Sequence, residues 1–358
     1  MASLKIGDVF LRFASALVLF AAAAGAADPV LWASRREGWM EAFRLDNLET
    51  VARLRVPERV EGVESSPDGQ RLFVRAPHPQ QPDICCALFV LDVRTLRAFA
   101  IIWPGFFPVQ ANGKLFVQRG DDGIEGFDTR SLMHLPTLRA PGVYQLAPSP
   151  DGRWLFGTRQ FPTPGLDIFD LAQQRMVRQI PAERGQYIRG VWLGPKFYLF
   201  VSDLPGAGKF SAVDAQAGVT GPPRLVRLGN PAACPEPDYA LIAAGDRAVV
   251  YSPLSTMPPR IECLSGGYVL ADPAAGDASK PLAPGLHFFS LIAARDGKSL
   301  YGIASSDEKP GGVRLVKVDA ASGQTLAQRD LPSDIWHLSL GEMPSDWEGR
   351  LDLKGIFQ

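Results

Sequence analysis

Residues 149–156 read Ser-Pro-Asp-Gly-Arg-Trp-Leu-Phe, a tight turn followed at once by an apolar run. The same arrangement occurs at 66–74, and at 112–117 an Asn-Gly pair precedes Lys-Leu-Phe-Val. Weaker copies follow at 245–250 and 296–301. Asp-Gly and Asn-Gly between apolar runs are strong signals for a β-hairpin turn. The repeat therefore predicts many short antiparallel strands.

An aspartate that ends one strand and begins a turn is the second repeated feature. It occurs seven times, at Asp46, Asp92, Asp128, Asp170, Asp214, Asp272 and Asp319. The spacing of these marks is that of propeller blades. Aspartate suits the position because its side chain accepts a hydrogen bond from the backbone two residues further on. The pattern predicts an all-β, seven-bladed β-propeller of four-stranded antiparallel blades.

The two ends of the chain complement each other. Residues 30–56 contain three strand-like runs, but no inner strand precedes them. Residues 335–340 have the pattern of an inner strand. Joining the two completes a seventh blade and covers strand edges that would otherwise be unpaired. We predict a ring closed by N- and C-terminal strands, in which residues 347–358 have no assigned place.

The first residues have the features of a secretory signal. Residues 13–24 are apolar and uncharged, and this run is short for a membrane-spanning helix. Ala24-Gly25-Ala26 supplies the small residues that signal peptidase requires. We predict a signal peptide over residues 1–26, with cleavage one residue later as the near alternative, and a β-propeller domain over residues 27–358. The protein is then periplasmic or secreted; the other interpretation is a retained membrane anchor.

The four cysteines are typical of an oxidising compartment. Four cysteines allow three complete pairings, of which we favour Cys234–Cys263, because this bond would pin a long loop. Cys85 and Cys86 are adjacent, so their Cα atoms lie about 3.8 Å apart, which is short for a disulfide. They form either a strained, redox-sensitive bond or two packed thiols.

Long loops in a propeller of this kind lie on one face, together with the blade-to-blade connections. We expect binding on this face, because rigid folds carry function on such loops. Trp103, Phe106 and Phe107 form a Pro- and Gly-flanked connection, and Phe161 lies in a neighbouring loop. We predict that these four aromatic residues contact a protein partner; the alternative is that they pack between blades.

The sequence contains no recognised catalytic motif. His78, His134, His287 and His337 lack metal-ligand spacing, although the last two lie beside inner strands and could approach the channel. Pairs such as Asp121-Asp122 are typical of solvated turns. The formal net charge of −1 gives no electrostatic reason to expect nucleic acid. We predict no catalytic residue, no metal and no cofactor.

The repeat resembles that of the YVTN-type and WD-like bacterial seven-bladed propellers, through its Ser-Pro-Asp-Gly turns and strand-end aspartates. A weaker resemblance, to the heavy chain of periplasmic amine dehydrogenases, is carried by residues 149–171 and by Gly-Phe-Phe-Pro at 105–108. In that family a similar loop places its phenylalanine against the catalytic subunit, and the quinone cofactor belongs to the small partner chain. The resemblance implies a scaffold subunit that is not catalytic alone.

The sequence is compatible with three functions. The first is a non-catalytic exported scaffold that binds a protein, such as an amine dehydrogenase-like heavy chain. The second is an enzyme of lactonase or hydrolase type, which a cluster of Glu, His and Arg at the channel mouth would favour. The third is a small-molecule or glycan-binding module, which exposed aromatic residues in the channel would favour.

Overall fold

The computed structural model describes residues 27–35, 38–55, 60–66, 70–77, 86–93, 98–103, 106–119, 123–159, 163–183, 186–204, 207–227, 240–251, 269–274, 276–306, 309–333, 335–344 and 351–352. In chain order its strands are β1 (Ala27–Arg35), β2 (Trp39–Arg44), β3 (Thr50–Arg55), β4 (Gly62–Ser65), β5 (Arg71–Ala76), β6 (Ala87–Asp92), β7 (Ala98–Ile102), β8 (Phe106–Ala111), β9 (Lys114–Gln118), β10 (Ile124–Asp128), β11 (His134–Leu138), β12 (Val143–Pro148), β13 (Trp154–Arg159), β14 (Gly165–Asp170), β15 (Arg175–Pro181), β16 (Tyr187–Leu193), β17 (Lys196–Leu204), β18 (Ala207–Asp214), β19 (Gly218–Arg227), β20 (Ala240–Ala244), β21 (Arg247–Tyr251), β22 (Val269–Asp272), β23 (Gly276–Pro281), β24 (Leu286–Ala293), β25 (Ser299–Ser306), β26 (Lys309–Asp319), β27 (Thr325–Leu331), β28 (Ile335–Pro344) and β29 (Leu351–Asp352).

The described strands form seven sheets, which confirms the seven-bladed propeller. Blade I combines β28, β1, β2 and β3, and blades II to VII take four consecutive strands each, from β4–β7 to β24–β27. Blade I confirms the predicted closure, because β28 from the C-terminal part pairs antiparallel with β1. The short strand β29, which the sequence did not predict, adds to the outer edge of β3 in parallel.

Turn chemistry explains the hairpins between the first two strands of a blade. Asn112 and Gly113 have φ angles of 48° and 69°, as a two-residue hairpin turn with the twist of the strands requires. In blade IV, the Ser149 hydroxyl accepts a hydrogen bond from the Trp154 backbone N–H at 2.9 Å. Gly152 between them has a φ of 66°. The residues that predicted these turns therefore form them.

In blades III to VII the strand-end aspartates cap the turns between the third and fourth strands, as predicted, whereas the turn after Asp92 in blade II lies outside the described residues. The carboxylates of Asp170 and Asp272 accept hydrogen bonds from the backbone N–H two residues on, each at 2.9 Å. Asp128 and Asp214 do the same at 3.0 and 2.8 Å. Further hydrogen bonds, from Ser131 to Asp128 and from Ala217 to Asp214, lower the pKa of both carboxyls. In blade I the cap differs. There the side chain of Asn47, not that of Asp46, accepts a hydrogen bond from the backbone N–H two residues further on, which belongs to Glu49.

Seven hydrophobic clusters of described residues lie between the blades, one for each pair of neighbours. Trp32 and Phe89 belong to the cluster between blades I and II, and Phe73 and Phe127 to the one between blades II and III. The cluster between blades VII and I, which contains Tyr301, closes the ring. Each blade is therefore held by apolar burial on both faces, the dominant favourable contribution to folding. The described residues contain no helix suited to crossing a membrane.

Candidate functional site

A cavity of about 370 Å³ occupies one end of the central channel. It lies where the inner strands begin, on the face that carries the blade-to-blade connections and the long loops. Described residues from blades I to VI contribute to its wall. Its polar lining consists of Glu61, Glu64, Arg75, Tyr144, Gln145, Arg189, His337 and Ser339. The cavity is in the size range of small-molecule sites.

The side of the cavity formed by blades I and II carries two carboxylates. Glu61 precedes β4 and Glu64 lies within it, while His337 comes from β28 of the neighbouring blade. Arg75 on β5 donates a hydrogen bond from Nη2 to the Glu61 backbone carbonyl at 2.9 Å. Nε2 of His337 is 3.9 Å from a carboxylate oxygen of Glu61. We call Glu61, Glu64, Arg75 and His337 the carboxylate wall.

Glu64 is held at the junction of blades II and III. Gln110 on β8 donates from Nε2 to a Glu64 carboxylate oxygen at 3.3 Å and to the Ser65 carbonyl at 2.9 Å. Burial raises the pKa of Glu64 to about 7, against the opposing effects of the Gln110 hydrogen bond and the Arg75 charge. Burial also lowers the pKa of Arg75, opposed by Glu61 and Glu64. The Glu64 carboxyl can therefore exchange a proton near neutral pH.

The opposite side of the cavity is cationic and aromatic. Arg189 on β16 is 6% exposed, and its guanidinium carbon lies 4.8 Å from the centre of the Tyr144 ring on β12. Burial lowers the pKa of Arg189 to about 10, while Tyr144 supports its charge. The guanidinium also donates to the Ile188 carbonyl at 3.1 Å. We call Arg189, Tyr144 and Gln145 the guanidinium wall.

Two side-chain amide oxygens in this region accept no hydrogen bond from the part of the chain that the structure describes. They are Oε1 of Gln145, which lines the cavity, and Oε1 of Gln110 beside Glu64. A buried acceptor without a donor costs on the order of 1–3 kcal/mol. A donor group bound in the cavity would remove this cost for Gln145, because Gln145 lines the cavity.

Of the four predicted partner-binding residues, the structure describes the side chain of Trp103 alone, and Trp103 is not among the described residues that line the cavity. Trp103 follows β7 and is 36% exposed, and its carbonyl accepts a hydrogen bond from Arg119. Phe106 and Phe107 are the first two residues of β8, but their side chains lie outside the described part, as does Phe161 altogether. Their role stays a prediction. Trp103 extends a row of exposed apolar side chains on β7, in which Phe99 and Ile101 are each 50% exposed.

The predicted disulfides also remain untested. Cys85, Cys234 and Cys263 lie outside the described residues. Cys86 is 3% exposed beside β6. The described residues therefore do not distinguish among the possible cysteine pairings.

The structure places the two histidines that could approach the channel differently. His337 lines the cavity, whereas His287 is buried on β24 and is not part of the cavity lining. His134 lies at the start of β11 against the Phe127 ring, and His78 lies outside the described residues. Among the described residues, no group of three His, Cys, Asp or Glu side chains could hold a metal ion.

The remaining charged groups of the cavity were not named from the sequence. Glu64 in Gly-Val-Glu-Ser and Arg189 in Tyr-Ile-Arg-Gly-Val each interrupt an inner strand that is otherwise apolar or small. A charge at such a position is rare without a partner or a function. This signal was available in the sequence, but it did not indicate which charges meet.

No protein-family model and no curated protein matches this chain. Solved structures match it in fold. Hydrazine synthase from Kuenenia stuttgartiensis is 15% identical over 79% of this chain and 90% of that chain, with a TM-score of 0.53. BamB from Moraxella catarrhalis is 12% identical over 89% and 92%, with a TM-score of 0.51. A chain of the mitotic checkpoint complex is 13% identical over 78% and 81%, with a TM-score of 0.52.

At this level of identity the matches show the propeller fold alone. Their names place similar propellers in an enzyme and in a multi-protein complex, so the fold does not select a function. The similarities to YVTN-type propellers and to the amine dehydrogenase heavy chain remain resemblances of sequence motifs. A function for this chain has to be argued from the cavity itself.

Proposed function

We propose that this protein is an exported β-propeller that binds a small polar molecule at the mouth of its central channel. The observation that carries the proposal is the convergence of Glu61, Glu64, Arg75, Arg189 and His337 around one cavity of about 370 Å³. Burying ionisable groups is costly, and such clusters concentrate at functional sites. An apolar lining here would have been cheaper for folding alone.

The cluster combines the features that were expected for two of the competing functions. Glu, His and Arg side chains meet at the channel mouth, which is the feature expected of an enzyme. Tyr144 is a 42% exposed aromatic residue in the channel, which is the feature expected of a small-molecule or glycan-binding module. Ligand binding is the property that both functions share. The cations, carboxyls, amides and aromatic ring on the wall are recognition groups for a polar molecule.

A thermal-shift panel of small carboxylates, phosphates, amines, amino acids and sugars tests this proposal. Wild type is compared with Arg189→Met, which removes a charge from the cavity. Arg224→Met is the control, because Arg224 is an exposed residue on β19 of the same blade. We expect at least one compound to raise Tm in wild type and in the control but not in Arg189→Met. Absence of any such compound contradicts the proposal.

A second candidate function, docking of a protein partner, is favoured by the exposed row Phe99, Ile101 and Trp103. Strand β7 is the outer edge strand of blade II, so its backbone edge can accept an added strand. The chain itself uses this mode, because β29 adds to the outer strand β3 of blade I. We propose that the partner contributes an extended apolar segment. The amine dehydrogenase resemblance implies a similar scaffold role.

Purification of the tagged protein from the periplasm of its own host, followed by mass spectrometry, tests partner docking. We expect a stoichiometric exported partner that is lost in the Phe99→Asp/Ile101→Asp variant and weakened when Trp103, Phe106 and Phe107 are changed to Ala. Leu326→Ala is the control, because Leu326 is 56% exposed on the outer strand of blade VII. A wild-type monomer with nothing attached would contradict this candidate function.

A further inference from the structure

The charges of the cavity are divided between opposite sides of the ring. Contacts between neighbouring inner strands place the blades in ring order. Glu61 and Glu64 belong to blade II, and Arg189 belongs to blade V. Three steps around a ring of seven separate these blades, so the carboxylate wall and the guanidinium wall face each other across the channel.

The carboxylate wall is suited to a cation. Its two carboxylates outnumber its one permanent cation, Arg75, which is already engaged with the Glu61 carbonyl and with the charge of Glu64. The groups that act on Glu64 are Gln110 on β8, through a hydrogen bond, and Arg75 on β5, through its charge, while His337 on β28 approaches the other carboxylate of this wall, Glu61. An ammonium group would donate hydrogen bonds that the two carboxylates can accept.

The guanidinium wall is suited to an anion. Arg189 presents a buried guanidinium that is oriented by the Tyr144 ring at 4.8 Å and by the Ile188 carbonyl. A guanidinium matches the geometry of a carboxylate, and in a partly desolvated cavity such a pair is stronger than in water. An anion bound here lies on the side of the cavity away from Glu61 and Glu64, so its repulsion by these carboxylates is weaker than it would be beside them.

We propose that the ligand of the channel mouth is a small zwitterion, whose ammonium group binds Glu61 and Glu64 and whose carboxylate binds Arg189. This inference rests on the proposed function and names its ligand class. Because the two walls belong to opposite blades, the ligand carries its charges several bonds apart, as ω-amino acids and short peptides do. A dianion would place charge against the carboxylates, and a dication would place it against Arg189.

Binding of the ammonium group is linked to the protonation of Glu64. An ammonium beside Glu64 favours the ionised carboxylate, so the ligand displaces the proton that this carboxyl holds below about pH 7. Affinity for the zwitterion therefore rises with pH up to about 7. Calorimetry in buffers of different ionisation enthalpy measures the released proton directly.

The test is a calorimetric series on the full chain. The probes are the zwitterions γ-aminobutyrate, ε-aminocaproate and triglycine, with n-hexylamine and caproate as singly charged controls. We expect at least one zwitterion to bind about tenfold more tightly than both controls. In Glu64→Gln the zwitterion should bind no more tightly than caproate, because the contribution of its ammonium group is lost. In Arg189→Met it should bind no more tightly than n-hexylamine, because the contribution of its carboxylate is lost. Glu49→Gln and Arg224→Met, both at exposed positions, retain the wild-type order.

The outcomes separate this inference from the proposed function. If caproate or n-hexylamine binds as tightly as every zwitterion, and binding needs Arg189 or Glu64, the channel binds a small molecule but the zwitterion inference is wrong. The zwitterion inference is also wrong, and the proposed function is supported, if no zwitterion binds while another class of compound from the thermal-shift panel binds in an Arg189-dependent way. If nothing in either set binds, both are wrong.

Discussion

The guanidinium of Arg189 lies 4.8 Å from the ring centre of Tyr144, and the two residues belong to the inner strands of adjacent blades. The arrangement links a buried cation to an aromatic ring that is 42% exposed at the channel mouth. A cation over an aromatic face is attracted by the ring quadrupole. The pair therefore holds a charge in place on the wall of the cavity.

Removing the Tyr144 ring should weaken ligand binding. We expect Tyr144→Leu to reduce the affinity for the compound identified in the thermal-shift panel by about two- to thirtyfold, because a cation–π contact contributes about 0.5–2 kcal/mol. Tyr144→Phe keeps the ring and should lose less. Calorimetry on both variants measures the difference, and equal losses would show that the hydroxyl alone matters.

Arg189→Met should increase stability while it abolishes binding. Burial disfavours the charge of Arg189, as its lowered pKa of about 10 indicates. Replacement of a buried charge by an apolar side chain of similar length is often neutral or stabilising. We expect the free energy of unfolding in urea to rise by about 1 kcal/mol. A clear loss of stability would show that Arg189 is a structural residue.

Glu64 should make the stability of the chain depend on pH. Its pKa is about 7 in the folded chain against an ordinary value of 4.5. The folded state therefore binds more protons than the unfolded state between these values, and the free energy of unfolding falls as the pH rises from about 4.5 to about 7. Glu64→Gln removes this fall.

Urea unfolding of Glu64→Gln and wild type from about pH 4.5 to about pH 8 measures the difference in their free energies of unfolding. We expect the variant to exceed wild type by on the order of 2 kcal/mol at about pH 8 and to match it near pH 4.5. Glu49→Gln, at an exposed turn, should show a difference that does not change with pH. A constant difference for Glu64→Gln would contradict the raised pKa.

Gly341→Ala should weaken the closure of the ring. Gly341 on β28 pairs with Val30 on β1, and a Cβ at this position would overlap the indole ring of Trp32, which is fully buried. We expect a loss of about 1–3 kcal/mol in the free energy of unfolding. Gly194→Ala is the control, because a Cβ there meets nothing within 4 Å and carries only the strain of a φ of 56°. Equal losses would contradict this account.

Export should leave a chain that begins at Ala27. Strand β1 begins at this residue, so cleavage after Ala26 would preserve the pairing of β1 with β28. N-terminal sequencing of the exported protein checks the site. Ala26→Arg should block cleavage, because signal peptidase requires a small residue there. A mature protein that still carries residues 1–26 would show a retained anchor instead.

Blade organisation could be read from the sequence because its determinants are local. The Asn112-Gly113 turn and the Asp170 cap depend on residues within a few positions of each other. The inner strand over residues 335–340 was recognisable for the same reason, and its place beside β1 followed from the need to cover unpaired edges. Strand β29 was not predicted, because two residues carry no periodicity.

The sequence by itself determined the fold class, the number of blades and the closure of the ring. It could do so because short turns and alternating strands depend on residues that are close to each other in the sequence. Only the tertiary structure decided that Glu64, Arg189 and Tyr144 share one cavity, since three different blades contribute them. Strand alternation states which side chains share a face, but not which residues meet across a channel. The raised pKa of Glu64 likewise comes from burial, which exists only once the blades have closed.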